Sequence, residues 1–214
     1  MKKRPFQRAS ISHFRENSSI YLFVLILFLM GVIFGAIVVN SLSLEQKQDL
    51  YFYLNRFFGQ VLAGEVASSS EMFQQSFFHN LKYLGFIWLL GISIIGLPVV
   101  LVLLFLKGMV IGFTVGFLVN QMGLQGFAVS FVSIMPQNIF LIPAFIVLST
   151  VSVAFSLKLI RQQFFKGINE PVSSAFLRYS MTMVAVVILI ACASTIEAYV
   201  SPLLMKTVMT GIQK

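Results

Sequence analysis

Apolar positions run along this chain in four stretches that contain no Asp, Glu, Lys or Arg: Ile20 to Val39 (20 residues), Tyr83 to Leu106 (24), Gly108 to Leu157 (50) and Tyr179 to Ile196 (18). A helix rising about 1.5 Å per residue needs roughly 20 residues to cross a hydrocarbon core about 30 Å thick. Three of the stretches therefore fit one crossing each. As a single helix the 50-residue stretch would reach about 75 Å, so it must fold back. Lys107 precedes it, and Lys158, Arg161 and Lys166 follow it. With both clusters on one side of a membrane, two crossings fit and leave spare residues around Leu124 to Gln137, where Gly123, Gly126 and Pro136 interrupt a regular helix. The pattern predicts an all-α integral membrane protein of five transmembrane helices in one polytopic domain, 1–214. Its parts are a basic N-terminus at 1–19, spans at 20–39, 83–106, 109–122, 138–157 and 179–200, and a half-helix or re-entrant piece at 124–137. An outer segment at 40–81, a basic loop at 158–178 and an outer tail at 201–214 complete it.

The outer segment 40–81 has a different texture. Ser43 with Gln46, and Ser68 with Glu71, each form the pattern of a capping box. After the first box, Leu50, Leu54, Phe57, Phe58 and Val61 recur on one helix face, opposite Lys47, Asn55 and Arg56. After the second, Phe73, Phe77, Leu81 and Leu84 do the same and lead toward the second span. Two aromatic-rich amphipathic helices are predicted, lying on the outer membrane face or folded over the bundle. Leu50, Leu54, Phe57 and Phe58 are candidates both for a lid packed on the chain's own helices and for a partner-docking face.

Composition strengthens the membrane reading. Of 214 residues, 58% are hydrophobic, 10% are charged and 23 are Phe, against roughly 45–50% apolar and about 25% charged in soluble domains. The mean hydropathy is +0.92. A net charge of +8 among so few polar residues does not read as a nucleic-acid surface; the position of each cation matters more. With the N-terminus inside, Lys2, Lys3, Arg4, Arg8, Arg15, Lys107, Lys158, Arg161, Lys166 and Arg178 fall on the cytoplasmic side and Lys47, Arg56, Lys82, Lys206 and Lys214 on the other, a division of 10 to 5. That asymmetry predicts a cytoplasmic N-terminus and an extracytoplasmic C-terminus. The first apolar run is read as an anchor, since a secretory h-region has roughly 7–15 residues.

Candidate chemistry is sparse. The two His, His13 and His79, fall on opposite sides of the predicted membrane, the single Cys is Cys192, and no metalloprotease, nucleophile-elbow or Walker pattern occurs. The expectation is a protein that is not an enzyme and that holds no metal or cofactor. Gly108, Gly112 and Gly116 form a doubled G-x-x-x-G, and Gly31 with Gly35 a single one. Such spacing lets helices approach closely in lipid, either inside one chain or between two copies in a homo-oligomer. Glu197 lies about 27 Å along the last span counted from Tyr179, close to the outer hydrocarbon boundary. It is read either as an interfacial carboxylate reaching water or as an anchor for polar groups such as Gln137 and Asn138.

Several of these segments together resemble one family. Phe57-Phe58-Gly59-Gln60, Phe77-Phe78-His79-Asn80, Gly91 through Pro98, Lys107-Gly108 with the glycine repeat, Met135-Pro136-Gln137-Asn138, Ile142-Pro143-Ala144, and Ile196-Glu197-Ala198-Tyr199 through Ser201-Pro202 resemble the stage II sporulation protein M (SpoIIM) family of endospore-forming bacteria. The resemblance runs from about Arg15 to Lys206. It implies a multi-pass protein of the mother-cell membrane at the septum, acting in forespore engulfment as scaffold and localiser for two peptidoglycan hydrolases, SpoIID and SpoIIP. The wider family carries a Pro-His-Gly…Glu…Ala pattern, which here reads Pro136, Gln137, Asn138, Leu141 and Ala144, while its Ile-Glu-Ala…Pro pattern is intact through Glu197 and Pro202. With the His and the first Glu replaced, the resemblance favours a scaffold without chemistry of its own. The rival expectation is an ion or small-molecule transporter or channel that uses a broken helix at Pro136 together with Glu197.

Overall fold

The structure, a computed structural model, describes residues 17–63, 68–164 and 172–212. Within them all elements are helical: α1 (Ser18–Val38), a 3-10 turn (Val39–Ser41), α2 (Leu44–Ala63), α3 (Ser69–Gly91), a helical run Gly96–Phe164, α6 (Val172–Tyr199) and α7 (Ser201–Ile212). The long run is two helices joined by a reversal at Gly123, whose φ of 59° and ψ of −133° belong to backbone space that favours glycine. We number them α4 (96–122) and α5 (124–164). Close behind the reversal, a Cβ on Gly126 would lie 1.9 Å from the Leu118 carbonyl oxygen, so the two arms touch from the first turn onward.

Both capping boxes form. Ser43 Oγ accepts from the Gln46 amide at 3.2 Å while Gln46 Oε1 accepts from the Ser43 amide at 3.0 Å. Ser68 and Glu71 exchange the same pair of bonds at 3.3 and 3.0 Å. These boxes satisfy amides that would otherwise be orphaned at the starts of α2 and α3.

The side-chain bonds between helices define a bundle in which the long helices alternate in direction along the chain. Tyr83 of α3 bonds the Leu103 carbonyl of α4 at 2.8 Å. Ser152 and Ser156 of α5 bond the Ile87 and Gly91 carbonyls of α3 at 3.5 and 2.8 Å. Tyr179 of α6 meets Ser152 at 3.0 Å and also bonds the Trp88 carbonyl. The rings of Trp88, Tyr179 and Phe155 stack at this end. Helices α1, α4 and α6 thus run one way, and α3 and α5 the other.

α1 and α4 are parallel and joined through small residues. A Cβ on Gly108 would lie 2.4 Å from the Phe28 carbonyl oxygen, one on Gly112 1.9 Å from that of Val32, and one on Gly116 3.0 Å from Ala36 Cα. From the other side, Gly31 and Gly35 meet the Phe105 and Met109 carbonyl oxygens at 2.4 and 2.0 Å. All five glycines therefore belong to one seam inside one chain. In lipid, where no hydrophobic effect drives helices together, such backbone contact supplies the packing.

The main core joins Val24 and Phe28 of α1, Leu84 and Ile87 of α3, Val100 and Leu104 of α4, Leu141, Phe145 and Leu148 of α5 and Val186 and Ile190 of α6. A second cluster unites Phe58 and Val61 of α2 with Leu118, Val129 and Met205 at the α4–α5 reversal and on α7. The outer face of α1 exposes Leu22, Phe23, Ile26, Leu29, Met30, Ile33, Phe34 and Ile37, a far larger apolar face than a water-soluble surface carries. Three helical runs, Ser18–Ser41, Gly96–Gln163 and Ser173–Val208, are long and apolar enough to cross a membrane. α3 falls short of that apolar character because Gln74, Gln75, His79, Asn80 and Lys82 interrupt it.

Several sequence expectations require correction. Residues 83–106 are not one helix: α3 ends at Gly91, and a turn with Gly96 and Leu97 amides bonded to the Ser93 and Ile94 carbonyls precedes α4. Gly96 allows the turn, since a Cβ there would lie 1.9 Å from the Leu90 carbonyl oxygen. Pro98 fits because the first turn of a helix needs no donor there. The third helix starts at Gly96 rather than 109. Residues 124–137 form neither a half-helix nor a re-entrant piece; they are the first turns of α5, which passes through Pro136 and Pro143. The reversal needs only one residue, Gly123. The basic N-terminus through residue 16 with His13, Glu65, the loop residues Lys166 and Gly167, and Lys214 lie outside the described residues.

Candidate functional site

The capping box at Ser68 fixes the phase of α3 and places Ser76, Asn80, Leu84, Ile87 and Gly91 along its buried stripe. The first two are polar. On α6 the spacing Ser194, Glu197 turns two polar side chains toward them, with Ser194 buried, and the buried Ser201 opens α7 just beyond. Ser76 Oγ donates to a Glu197 carboxylate oxygen and lies 3.1 Å from Ser194 Oγ. Asn80 Nδ2 donates to the Ser76 carbonyl at 3.0 Å and reaches its hydroxyl at 3.4 Å. From α5, the Gln137 side-chain amide faces the carboxylate; assigned with its nitrogen toward Glu197, the orientation that pairs a donor with an acceptor, it donates to Oε1 at 3.0 Å and also faces Oε2. Three helices thus converge on one carboxylate. Its bonds point inward and anchor polar groups of α3 and α5, while the residue itself is half-buried.

The two motif neighbours of Gln137 behave differently. Asn138 is 4% exposed and turns back on its own helix, donating to the Ile134 carbonyl at 2.7 Å. The structure does not bring it to Glu197. Pro136 is half-buried inside α5, and Pro202 sits in the first turn of α7, where a missing amide costs nothing. Leu141, at the position of the acid in the wider family pattern, is 1% exposed and packs in the apolar core.

Sequence reasoning misplaced Lys107, putting it at the cytoplasmic boundary. It stands within α4, one residue before Gly108, which is seated on the Phe28 carbonyl. Phe28 is the middle residue of the 21-residue α1, about 15 Å from either end. The lysine is therefore at mid-depth in the bundle. Its ammonium lies 5.0 Å from the ring centroid of Phe145 and 5.9 Å from that of Tyr83, and these two rings meet edge to face at 5.5 Å. An ammonium held over aromatic faces keeps part of the stabilisation that it loses with water. Lys107 and the exposed His79 both act electrostatically on Glu197. A cation and an anion inside the same bundle are expensive features that ordinarily mark function.

The cluster partners Ser76, Asn80 and Ser194 were missed as well. Their signal was present: Ser76 and Asn80 fall on the face of Leu84, which the periodicity already turned inward. For Lys107 the signal was Gly91–Gly96–Pro98, a break that ends one helix early and leaves the lysine eleven residues inside the next.

Above Glu197 lies a cavity of about 230 Å³ walled by α2, α4, α5 and the α6–α7 junction. Leu54 and Phe58 close it from α2, Leu118 from α4 and Met205 from α7. Phe57 lines its rim but is 46% exposed, beside the outward aromatics Phe52 and Tyr53. Leu50 is half-buried. Among the described residues no cluster of three or more His, Cys, Asp and Glu could hold a metal ion.

The sequence model of stage II sporulation protein M matches residues 24–202, from α1 to the start of α7. This chain belongs to the stage II sporulation protein M family. Family membership and the three long apolar helical runs make it a sporulation-related, membrane-associated protein. The matched region of this SpoIIM-family protein includes the glycine seam, Lys107, Gln137 and Glu197. No curated protein and no solved structure gives a match.

Proposed function

We propose that this SpoIIM-family protein crosses the mother-cell membrane five times and acts there as a scaffold, without chemistry of its own, that holds SpoIID- and SpoIIP-like wall hydrolases at the septum during engulfment. The crossings are α1, α3, α4, α5 and α6, whose alternating directions suit an odd number of passes. With Lys107 and Lys82 assigned to the interior of helices, nine basic residues (Lys2, Lys3, Arg4, Arg8, Arg15, Lys158, Arg161, Lys166 and Arg178) flank the N-terminal end of the bundle and four (Lys47, Arg56, Lys206 and Lys214) the other. This supports a cytoplasmic N-terminus and an extracytoplasmic α2 and C-terminus.

The observation that carries the docking assignment is the division of α2 into two faces. Leu54, Phe58 and Val61 turn onto the bundle, while Phe52, Tyr53 and Phe57 stay outward at 66%, 66% and 46% exposure. Exposed aromatics of this kind anchor partners. The Leu50, Leu54, Phe57 and Phe58 series thus serves two tasks: Leu54 and Phe58 hold the lid, and Phe57 belongs to the docking face. Co-purification of a SpoIIP-like hydrolase, normalised to membrane abundance, tests this. Tyr53→Asp with Phe57→Asp is expected to release the hydrolase at unchanged abundance, whereas Phe58→Asp lowers abundance itself. Full hydrolase recovery with the double variant would remove α2 as the docking site. For topology, single cysteines in a Cys192→Ala background are expected to react with an impermeant reagent at Ser69 and not at Gly167; labelling at Gly167 in intact cells would overturn the orientation.

A transporter or channel is the second reading. Its support is the pair Lys107 and Glu197 inside the bundle; its proposed helix break is absent, since α5 is continuous through Pro136. Ion flux in proteoliposomes that disappears in Lys107→Met would favour it over the scaffold.

A further inference from the structure

The cavity above Glu197 combines apolar walls with four polar side chains, two of which have already committed their protons. Thr114 donates its hydroxyl proton to the Val110 carbonyl at 2.8 Å, and Ser133 donates its own to the Val129 carbonyl at 2.7 Å. Both line the cavity, so what remains for an occupant is acceptor capacity. Glu197 is an acceptor throughout, and a carboxylate has about four lone-pair sites, of which Ser76 and Gln137 use some. The fourth polar lining residue is Ser201, 5% exposed, whose buried hydroxyl has no hydrogen-bond partner. An orphaned hydroxyl in a low-dielectric site is costly, but this oxygen is closed off from the cavity that its residue lines. At about 30 Å³ per water-sized group, 230 Å³ holds about seven or eight heavy atoms, so the head and most of an eight-carbon chain fit inside and the chain end protrudes from the open mouth. Lys107 and His79 act on the same carboxylate through space, but neither is part of the lining.

We propose that this cavity binds an amphiphile with a primary ammonium head and an alkyl body, its head donating hydrogen bonds to Glu197 beside the Thr114 and Ser133 oxygens and its chain lying against Leu54, Phe58, Leu118 and Met205. A primary ammonium offers three donors and no acceptor, the complement of this lining. An alcohol offers one donor, and a carboxylate would face Glu197 as a like charge. The ligand chemistry has two sources, the headgroup of an aminophospholipid and a free alkylamine. This site shares only Phe57, at its rim, with the outward face of α2, so Tyr53→Asp reports on hydrolase docking and Ser133→Leu on ligand binding independently.

The test uses the full chain in phosphatidylcholine nanodiscs, which supply no N–H donor, with n-octylamine, n-octanol and octanoate titrated against the melting temperature at pH 7. Octylamine is expected to raise the melting temperature saturably, with a half-maximal concentration at least tenfold below that of octanol and no response to octanoate. Glu197→Gln abolishes that preference. Ser133→Leu, which fills the cavity without changing charge, abolishes the saturable shift and keeps the test decisive should the Glu197 variant fold poorly. In discs containing phosphatidylethanolamine, loss of the octylamine response identifies the lipid headgroup as the source, and an intact response identifies the free amine. Equal responses to octylamine and octanol, an unchanged response in Ser133→Leu, or no saturable response to octylamine would each overturn the proposal.

Discussion

Gly112 is the position where the structure makes the most quantitative demand. A Cβ there would lie 1.9 Å from the Val32 carbonyl oxygen and 2.7 Å from its carbon. Even weak carbon–oxygen contacts settle at about 3.3–3.6 Å, so α1 and α4 must separate by roughly 1.4 Å or more along that line to admit one methyl group. Both atoms that would have to yield belong to backbone, and a helix cannot swing one carbonyl aside as a side chain changes rotamer. The same seam holds Gly31, Gly35 and Gly108 at 2.0–2.4 Å from facing oxygens, so separation at Gly112 loosens its neighbours too. Overpacking of this kind costs about 1–3 kcal/mol. In a chain of this length about 1 kcal/mol corresponds to about 2–4 °C in melting temperature, which sets an expected loss of about 4–8 °C for a mid-range penalty in Gly112→Ala. Gly85 is the internal control: it is also inside a helix, but nothing lies within 4 Å of its would-be Cβ. There Ala gains helix propensity of up to about 1 kcal/mol and should leave the protein as stable or slightly more so. Thermal unfolding of the purified protein in detergent, with monodispersity followed by size exclusion, measures both. A Gly112→Ala protein as stable as wild type, or a Gly85→Ala protein equally damaged, would refute a seam built on backbone contact.

At Glu197, the Gln variant is expected to stay near wild-type stability because an amide still accepts from Ser76 or Gln137. Glu197→Leu leaves both donors unpaired and should lose about 1–3 kcal/mol, read by the same unfolding assay; equal losses in the two variants would show that charge, not hydrogen bonding, holds the cluster. At Lys107, Met keeps the length of the side chain and removes the buried ammonium, so Lys107→Met should fold at least as well as wild type, whereas Lys107→Glu places a second carboxylate near Glu197 and should reduce folded yield several-fold. Normal yield of Lys107→Glu would show that this position is wetter than its aromatic neighbours imply.

The helical class, the membrane solvent and the two capping boxes were legible in the sequence. Each depends on local rules: charge-free length, a three-residue polar spacing, and periodicity along one helix. The fold-back of the 50-residue stretch was also forced by length alone. Its position was not, because several glycines and a proline competed, and only the close contact of Gly126 with Leu118 selected Gly123. Lys107 shows the same limit more sharply. In one dimension it divides two apolar runs and looks like a boundary, and a boundary is where a lysine is cheapest. Depth is a relation between helices, and it was decided when Gly108 docked on Phe28 and drew the preceding lysine beneath the rings of Tyr83 and Phe145. The carboxylate cluster has the same origin. Ser76, Gln137 and Glu197 are up to 121 residues apart, and no local pattern links them. Helix phase turned each side chain inward, but only the tertiary packing of α3 and α5, which run parallel, against the antiparallel α6 brought the three to one level.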